Sequence, residues 1–305
     1  MSRADREHAP QGGRLSFRKR RPRLFIALAV LAVLLLLWLL SAFMRYADRA
    51  GLFSGPRLAV LRVEGPIADA EAVVEWAAML RRDTTVAGVL LRIDSPGGAV
   101  APSQEMYAAV KRLAAVKPVI VSMGTAAASG GYYIAVAGRE IYANPSSLTG
   151  SIGVRMQLAN VEGLMERIGV RSESFATGPL KNTGSPFQTL SPEERAYLDA
   201  LIRDMLDEFV ATVAEHRGLS PETVRMLADG RAYTGRQALE AGLVDHLGDA
   251  EDALNRLAAL TGVNPEAPLL EAPKPSKPWW RELIGVLLDL EEKNGMTVPM
   301  YRFYY

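Results

Sequence analysis

The chain has 305 residues and a formal net charge of +1 at pH 7, so no overall positive field favours a nucleic-acid partner. It contains no cysteine, which excludes both a disulfide framework and a catalytic thiolate. This length allows one sizeable domain or two small ones.

The N-terminal region combines a basic arm with a long apolar run. Residues 1–23 carry eight arginine and lysine side chains, and residues 24–44 follow without a charge. A helix of that length spans about 30 Å, the thickness of a bilayer core. A signal peptide is the alternative, but its apolar core is usually shorter and no small-x-small cleavage site follows. We expect one uncleaved transmembrane helix in the lipid bilayer, with its amino end in the cytoplasm and everything after residue 45 outside.

After a short linker at 45–56, apolar runs alternate with segments of helical spacing. Apolar runs of this kind are typical of buried strands. Asp69 is the expected N-cap of the first helix. The alternation β-α-β-α-β predicts a mostly parallel sheet covered by helices. The predicted strands are 57–65, 86–94 and 118–124, and the helices between them are 69–82 and 101–116.

The C-terminal half begins with a long predicted helix at 191–218. Ser191 followed by Glu194 forms a capping box, and Gly218 is a stop signal. A shorter helix follows, and a final helix is expected near 249–260. Residues 263–305 read as a proline-rich spacer and an amphipathic, aromatic tail. The pattern leaves open whether this tail is a loose terminus or contacts a neighbouring subunit or the membrane.

Two glycine-rich turns, "IDSPGG" and "GTAAASGG", each follow a predicted strand. In parallel sheets, ligand-binding sites lie at the carboxyl ends of the strands. Gly97 and Gly98 allow close approach of backbone N–H groups to a ligand, which is how an oxyanion is held. Ser129 lies among small residues at a predicted helix start and is a candidate nucleophile. The alternative is a capping serine in a tightly packed turn.

A serine nucleophile needs a base. The three histidines lie in polar surroundings, and neither a zinc motif nor a nucleotide-binding loop occurs, so no metal or cofactor is expected. By elimination Lys181, in a loop with Phe175 and Phe187, is the candidate base, since burial favours a neutral amine. The alternative is an exposed loop lysine. Ser151 is a candidate acceptor that orients the amine.

Five blocks resemble the signal peptide peptidase A family, membrane-anchored bacterial serine proteases, in its half-length form. The blocks are "LRIDSPGG", "TAAASGGYYIA", "LTGSIGV", "GPLKNTGSPF" and "GLVDHLG". The resemblance covers about residues 57 to 260 and implies an α/β fold of crotonase/Clp-protease type, built of repeated ββα units. It implies Ser129 as nucleophile, Lys181 as general base, Ser151 as the lysine-orienting residue, and the backbone N–H groups of Gly98 and Gly130 as the oxyanion hole.

The resemblance also implies partners and a location. It implies a homo-oligomeric ring, in which the serine and lysine of one site can belong to adjacent subunits. Apolar peptides, above all remnant signal peptides, are the implied substrates of a peptidase domain at 57–262. The implied location is the bacterial inner membrane, with the catalytic domain on the periplasmic side. Two alternatives are a crotonase-type acyl-CoA enzyme, which the outside location disfavours, and a non-catalytic, membrane-anchored scaffold that binds peptides.

Overall fold

The computed structural model describes residues 22–49 and 55–273, and the chain divides into two compact units after Gly55. Most of the predicted basic arm and the tail from residue 274 onward lie outside the described residues. In the first unit, helix α1 (Pro22–Arg49) extends into the predicted linker. Its described side chains between 30 and 44 are mostly exposed. Judged on the described residues, none of the helices combines the length and the apolarity of a membrane span.

The second unit is built on a sheet whose first three strands are parallel, as predicted. These strands bury dense apolar runs on both faces, which is typical of parallel sheets covered by helices. Two further strands extend this sheet, so that five strands follow one another along it in the order β1 (Arg57–Glu64), β2 (Val86–Ser95), β3 (Val119–Ala128), β4 (Glu140–Ala143) and β7 (His246–Leu247). This mixed α/β arrangement fits a Clp-protease-like fold, and the finer expectation of repeated ββα units stays a prediction.

Strand β3 is longer than the predicted 118–124 and changes partner along its length. Its first half pairs with β4, and its second half, Ala126 to Ala128, pairs with β5 (Leu148–Gly150). Strand β5 in turn pairs antiparallel with β6 (Ala232–Thr234). The carboxyl end of β3 therefore lies where the main sheet meets this short branch, and Ser129 is the next residue.

The helices of the second unit cover the sheet. Helix α6 (Pro192–Arg217) begins with the predicted capping box, since Glu194 N donates to Ser191 Oγ (3.1 Å) and Ser191 N donates to Glu194 Oε2 (2.7 Å). The N-cap of α2 (Glu71–Arg82), in contrast, is Ala70 without a side-chain bond, so the prediction of Asp69 was wrong. The helices are α2 (Glu71–Arg82), α3 (Val100–Ala114), α4 (Gly130–Ala135), α5 (Glu162–Arg167), α6 (Pro192–Arg217), α7 (Pro221–Leu227), α8 (Gly235–Glu240) and α9 (Ala250–Thr261).

Two apolar cores hold the second unit together. The larger one packs α2, α3, α4 and α6 against one side of the sheet. The smaller one packs α9 against the other side, where Leu257 meets Leu90 and Ile120. The chain then returns to the sheet edge, because Val60 N donates to Leu270 O and Leu270 N donates to Leu58 O, both at 2.9 Å. The packed domain therefore reaches beyond residue 262 into the predicted spacer.

An ion pair fastens the end of α6 to the loop before β7. Arg217 donates two hydrogen bonds to Asp245, at 2.9 and 2.7 Å, and one to Gly242 O at 2.9 Å. Burial by itself would raise the pKa of Asp245, but the hydrogen bonds and charge of Arg217 hold it below its usual value. The ionised carboxylate therefore stabilises the fold at pH values above the pKa that Asp245 has in the unfolded chain. This stabilisation is lost as the pH falls through the lower pKa of the folded chain.

We expect Arg217→Met to reduce the free energy of unfolding at pH 7 by about 2 kcal/mol, because it leaves the Asp245 carboxylate without its charged partner. The loss is smaller than for a fully buried pair, since the Asp245 side chain is 29% exposed. Urea unfolding followed by tryptophan fluorescence measures it. The deficit should shrink as the pH is lowered and Asp245 becomes protonated, and an equal deficit at every pH would contradict this account.

Candidate active site

Ser129 connects β3 to α4 in a strained backbone conformation. Its φ of 57° and ψ of −120° lie in a region that residues with a Cβ atom rarely adopt. Ser129 N donates to Gly150 O at 2.8 Å, and Ser129 O accepts from Tyr133 N at 2.9 Å. The turn is thus held by β5 on one side and by α4 on the other. Strain maintained in this way is found at functional sites.

The hydroxyl of Ser129 is buried without using its hydrogen-bonding capacity. The residue is 3% exposed, and its Oγ has no hydrogen-bond partner within the part of the chain that the structure describes. Although Ser129 stands at the N-cap position of α4, its side chain makes no capping bond. The alternative of a capping serine is therefore wrong. A buried hydroxyl left unpaired costs about 1–3 kcal/mol, so the site keeps this group free at the expense of stability.

Ser129 lines an open cleft of about 720 Å³. The cleft brings the candidate nucleophile together with two other predicted site residues, Gly98 and Ser151. Its walls also carry apolar side chains from the loop after β1, from the segment after β5 and from α6. Three of these apolar residues are Ile67, Val154 and Leu206.

The backbone amide of Gly98 makes no hydrogen bond to the adjacent segment at Ile67. Ile67 N donates to Gly97 O (3.0 Å), and Ala99 N donates to Ile67 O (2.8 Å). In such a parallel bridge both bonds go to the residues that flank Gly98. The N–H of Gly98 itself therefore points away from Ile67, and Gly98 lines the cleft.

The second predicted amide, that of Gly130, belongs to the first residue of α4. The first N–H groups of a helix have no acceptor within the helix. The two glycine-rich turns touch each other, because a Cβ atom added to Gly97 would lie 2.7 Å from Gly130 N and 2.8 Å from Ser129 Cβ. The two amides proposed for an oxyanion hole therefore lie on contacting turns beside the serine.

Ser151 is the second non-glycine residue with a positive φ among the described residues, at 48°. Its N donates to Arg231 O at 3.0 Å, and its Oγ lies 3.3 Å from Gly230 O. These bonds continue the pairing of β5 with β6 past the end of β5. Ser151 forms part of the cleft wall, and its role as the residue that orients the lysine stays a prediction.

Lys181 is not part of the cleft within one chain. Its side chain is exposed, in a turn closed by Lys181 N to Gly178 O (3.2 Å). The aromatic rings expected to cover the amine do not bury it, since Phe175 is 95% and Phe187 47% exposed. Within the described chain, no lysine or histidine lines the cleft.

The other described cationic candidates have partners elsewhere. Lys111 pairs with Glu215 (3.1 Å), and Lys117 Nζ donates to Leu80 O (2.7 Å). His216 shares a hydrogen bond of 2.7 Å with Tyr107 Oη, and His246 lies 3.4 Å from Glu140. Over residues 22–49 and 55–273 no group of three or more acidic or histidine side chains is placed to hold a metal.

Sequence reasoning did not single out several residues of the cleft wall, among them Ile67 and Leu206. Ile67 follows β1 at the carboxyl edge of the sheet, so its position after a predicted strand was the available signal. Leu206 lies in the middle of α6 and reads as an ordinary apolar helix residue. Only the packing of α6 beside the turns places it at the site.

Comparison with known proteins relates the chain to proteases. The model of "Peptidase family S49" matches residues 111–264, which include Ser129, Ser151 and Lys181. A Synechocystis sp. protein named "Putative protease" is 43% identical over 246 residues, 79% of this chain and 88% of that protein. "Putative signal peptide peptidase SppA" of Enterococcus faecium is 40% identical over 182 residues, 58% of this chain and 52% of its own.

"Serine protease SPPA, chloroplastic" of Arabidopsis thaliana is 33% identical over 226 residues, 71% of this chain and 33% of that protein. The chain thus spans most of the Synechocystis relative, but about half and a third of the other two. The match of the family model and the coverage of the Synechocystis protein agree with the five sequence blocks. This chain belongs to peptidase family S49, the signal peptide peptidase A family of proteases.

Proposed function

We propose that the protein is a membrane-anchored serine endopeptidase that hydrolyses peptide bonds in apolar peptides, in particular remnant signal peptides. Ser129 is the nucleophile and Lys181 the general base. The observation that carries the proposal is the Ser129 hydroxyl, which is 3% exposed, unpartnered in the described chain and set in a cleft wall. A strained serine with a free Oγ beside two available amides suits nucleophilic catalysis better than a structural role.

In the proposed reaction Ser129 Oγ attacks the carbonyl carbon of the scissile peptide bond while the neutral amine of Lys181 takes its proton. The carbonyl oxygen becomes an oxyanion, which accepts hydrogen bonds from the amides of Gly98 and Gly130. Collapse of this intermediate breaks the C–N bond, and the lysine returns the proton to the leaving amine. Water then hydrolyses the acyl-enzyme with the same lysine as base.

The base comes, in this proposal, from a neighbouring copy in a homo-oligomeric ring. Two observations support it: no lysine lines the cleft of the described chain, and Lys181 lies in a segment with exposed apolar side chains. Leu164, Ile168 and Phe175 are 60%, 65% and 95% exposed. Such a surface favours burial against another protein. Burial there also favours the neutral, basic form of an amine, and in this proposal the Ser151 hydroxyl orients that amine.

The proposed substrate class follows from the cleft wall and from the N-terminal segment. Ile67, Val154 and Leu206 offer an apolar surface to the side chain beside the scissile bond. The uncharged run 24–44 supports an anchor in the bacterial inner membrane, with the amino end in the cytoplasm and the catalytic domain on the periplasmic side. A protease held there meets apolar peptides that remain in the bilayer.

A fluorophosphonate probe on the purified full-length protein tests the proposal. We expect one label, mapped to Ser129 by mass spectrometry and absent from Ser129→Ala. Peptide binding without any label would favour the non-catalytic scaffold. Specific retention on immobilised coenzyme A, again without a label, would favour the acyl-CoA enzyme.

Gly98→Ala should displace one of the two hydrogen-bond donors of the proposed oxyanion hole. A Cβ atom at this position would lie 2.1 Å from Ile67 O, so the turn must move and carry the Gly98 amide with it. We expect cleavage of an apolar peptide to fall by about 10²-fold or more, the usual loss for one oxyanion donor. Gly55→Ala is the control, because a Cβ atom there meets open space. Wild-type kcat in Gly98→Ala would exclude this amide from the reaction.

A further inference from the structure

Ser95, the last residue of β2, carries a fully buried hydroxyl next to the first glycine-rich turn. The residue is 0% exposed. Its Oγ donates to Gly65 O at 2.6 Å and accepts from Gly97 N at 3.1 Å. A single side chain thus joins the loop after β1 to the residue that precedes Gly98.

The surrounding bonds explain why this hydroxyl matters for the turn. Backbone bonds tie the two loops together at either end, from Gly65 N to Asp94 O (2.9 Å) and from Ile67 N to Gly97 O (3.0 Å). Between them Pro96 has no N–H to donate, and Gly97 has a φ of 94° that glycine adopts without a steric penalty and leaves with equal ease. The Gly97 N–H is held by Ser95 Oγ.

Ser95 also stands between the two turns that the site uses. It is the register partner of Ala127 on β3, two residues before the nucleophile. A Cβ atom on Gly131 would lie 3.0 Å from Ser95 O, so the start of α4 packs against the same residue. A shift at Ser95 therefore changes the position of the Gly98 amide relative to that of Gly130.

We propose that Ser95 is a positioning residue for the oxyanion hole, whose hydroxyl sets the peptide unit of Gly97 and thereby the direction of the Gly98 N–H. Ser95 is not among the described residues that line the cleft, so in this inference it acts through the Gly98 amide. This inference rests on the proposed function. An oxyanion donor acts only when it points to the place where charge develops, so a displaced amide weakens binding of the transition state more than binding of the substrate.

The first test is steady-state cleavage of an apolar peptide by full-length Ser95→Ala. We expect kcat to fall about 10- to 100-fold with KM within about twofold, the pattern of an interaction made only in the transition state. Ser122→Ala is the matched control: Ser122 is also 0% exposed and bonded, to Arg92 Nη1 at 2.7 Å, but it lies in the middle of β3. We expect its kcat to stay within about twofold of wild type.

The second test uses a peptide aldehyde, whose hemiacetal with Ser129 places an oxygen in the hole. We expect the affinity of the aldehyde to be lower for Ser95→Ala than for wild type, by the same factor as kcat/KM. An uncleaved peptide, in contrast, should bind equally well to the inactive Ser129→Ala protein and to the Ser95→Ala/Ser129→Ala double variant. If Ser95→Ala does not fold, both measurements are made on Ser95→Cys. Its thiol is a weaker donor and acceptor of similar size, so we expect a smaller loss of kcat.

Each outcome decides the inference. Cleavage by Ser95→Ala at the rate of Ser122→Ala overturns it, and so does an equal loss of aldehyde and peptide affinity, which indicates a merely structural role. Wild-type protein that neither cleaves nor reacts with the fluorophosphonate overturns the proposed function and this inference with it. Wild-type protein that does both, together with an unaffected Ser95→Ala, overturns this inference alone.

Discussion

Ser129→Ala is expected to abolish cleavage, with kcat reduced by at least about 10³-fold, because a chain without its nucleophile retains only binding and the oxyanion hole. The same substitution should leave the free energy of unfolding unchanged or raise it by about 1 kcal/mol, since it removes a buried hydroxyl that has no partner. Alanine does not relieve the strain of the positive φ at this position. Ser129→Gly does relieve it and should be the more stable of the two inactive variants.

Peptide cleavage and urea unfolding of the same preparations measure the two effects. Ser147→Ala is a matched control, because Ser147 is also 3% exposed but its Oγ donates to Gly124 O at 2.5 Å. It should lose stability and keep activity, the reverse of Ser129→Ala. A Ser129→Ala protein that cleaves at the wild-type rate would remove the proposed nucleophile. One that is strongly destabilised would show that the hydroxyl has a structural partner after all.

Lys181→Ala is expected to reduce kcat by a similar factor without lowering stability, since the Lys181 side chain is exposed in the single chain. Lys111→Ala is the control, because Lys111 is also exposed but pairs with Glu215 outside the cleft wall. It should keep its activity. The contrast tests whether position 181 matters for the reaction, beyond the loss of one positive charge from the surface.

Mixing the two inactive variants tests where the base comes from. If serine and lysine of one site belong to adjacent copies, a random equimolar assembly of Ser129→Ala and Lys181→Ala chains restores about a quarter of the sites. A working site takes its serine from a Lys181→Ala chain and its lysine from a Ser129→Ala chain, and each of these two choices is met about half of the time. The chains must be unfolded and refolded together, and the mass of the assembled complex gives the number of copies. Co-assembly without any recovery would contradict a base from a neighbouring copy.

Much of the fold could be predicted because its signals are local. The apolar runs of β1, β2 and β3 and the helical spacing between them indicated the parallel sheet, and the Ser191–Glu194 box marked the start of α6. Where a local signal was weak, the prediction failed. Asp69 has a capping side chain, yet the N-cap of α2 is Ala70 without a side-chain bond, and α5 had no recognised signal.

The sequence by itself determined the identity of the candidate nucleophile and of the glycine turns, because residue type and order along the chain carry that information. Only the tertiary structure decided that the Ser129 hydroxyl has no partner in the described chain, that Gly97 touches Gly130, and that Lys181 stands apart from the cleft. These facts depend on which distant segments meet. A contact between residues far apart in the chain arises from the closure of the whole sheet and its helices, and no short stretch of sequence records it.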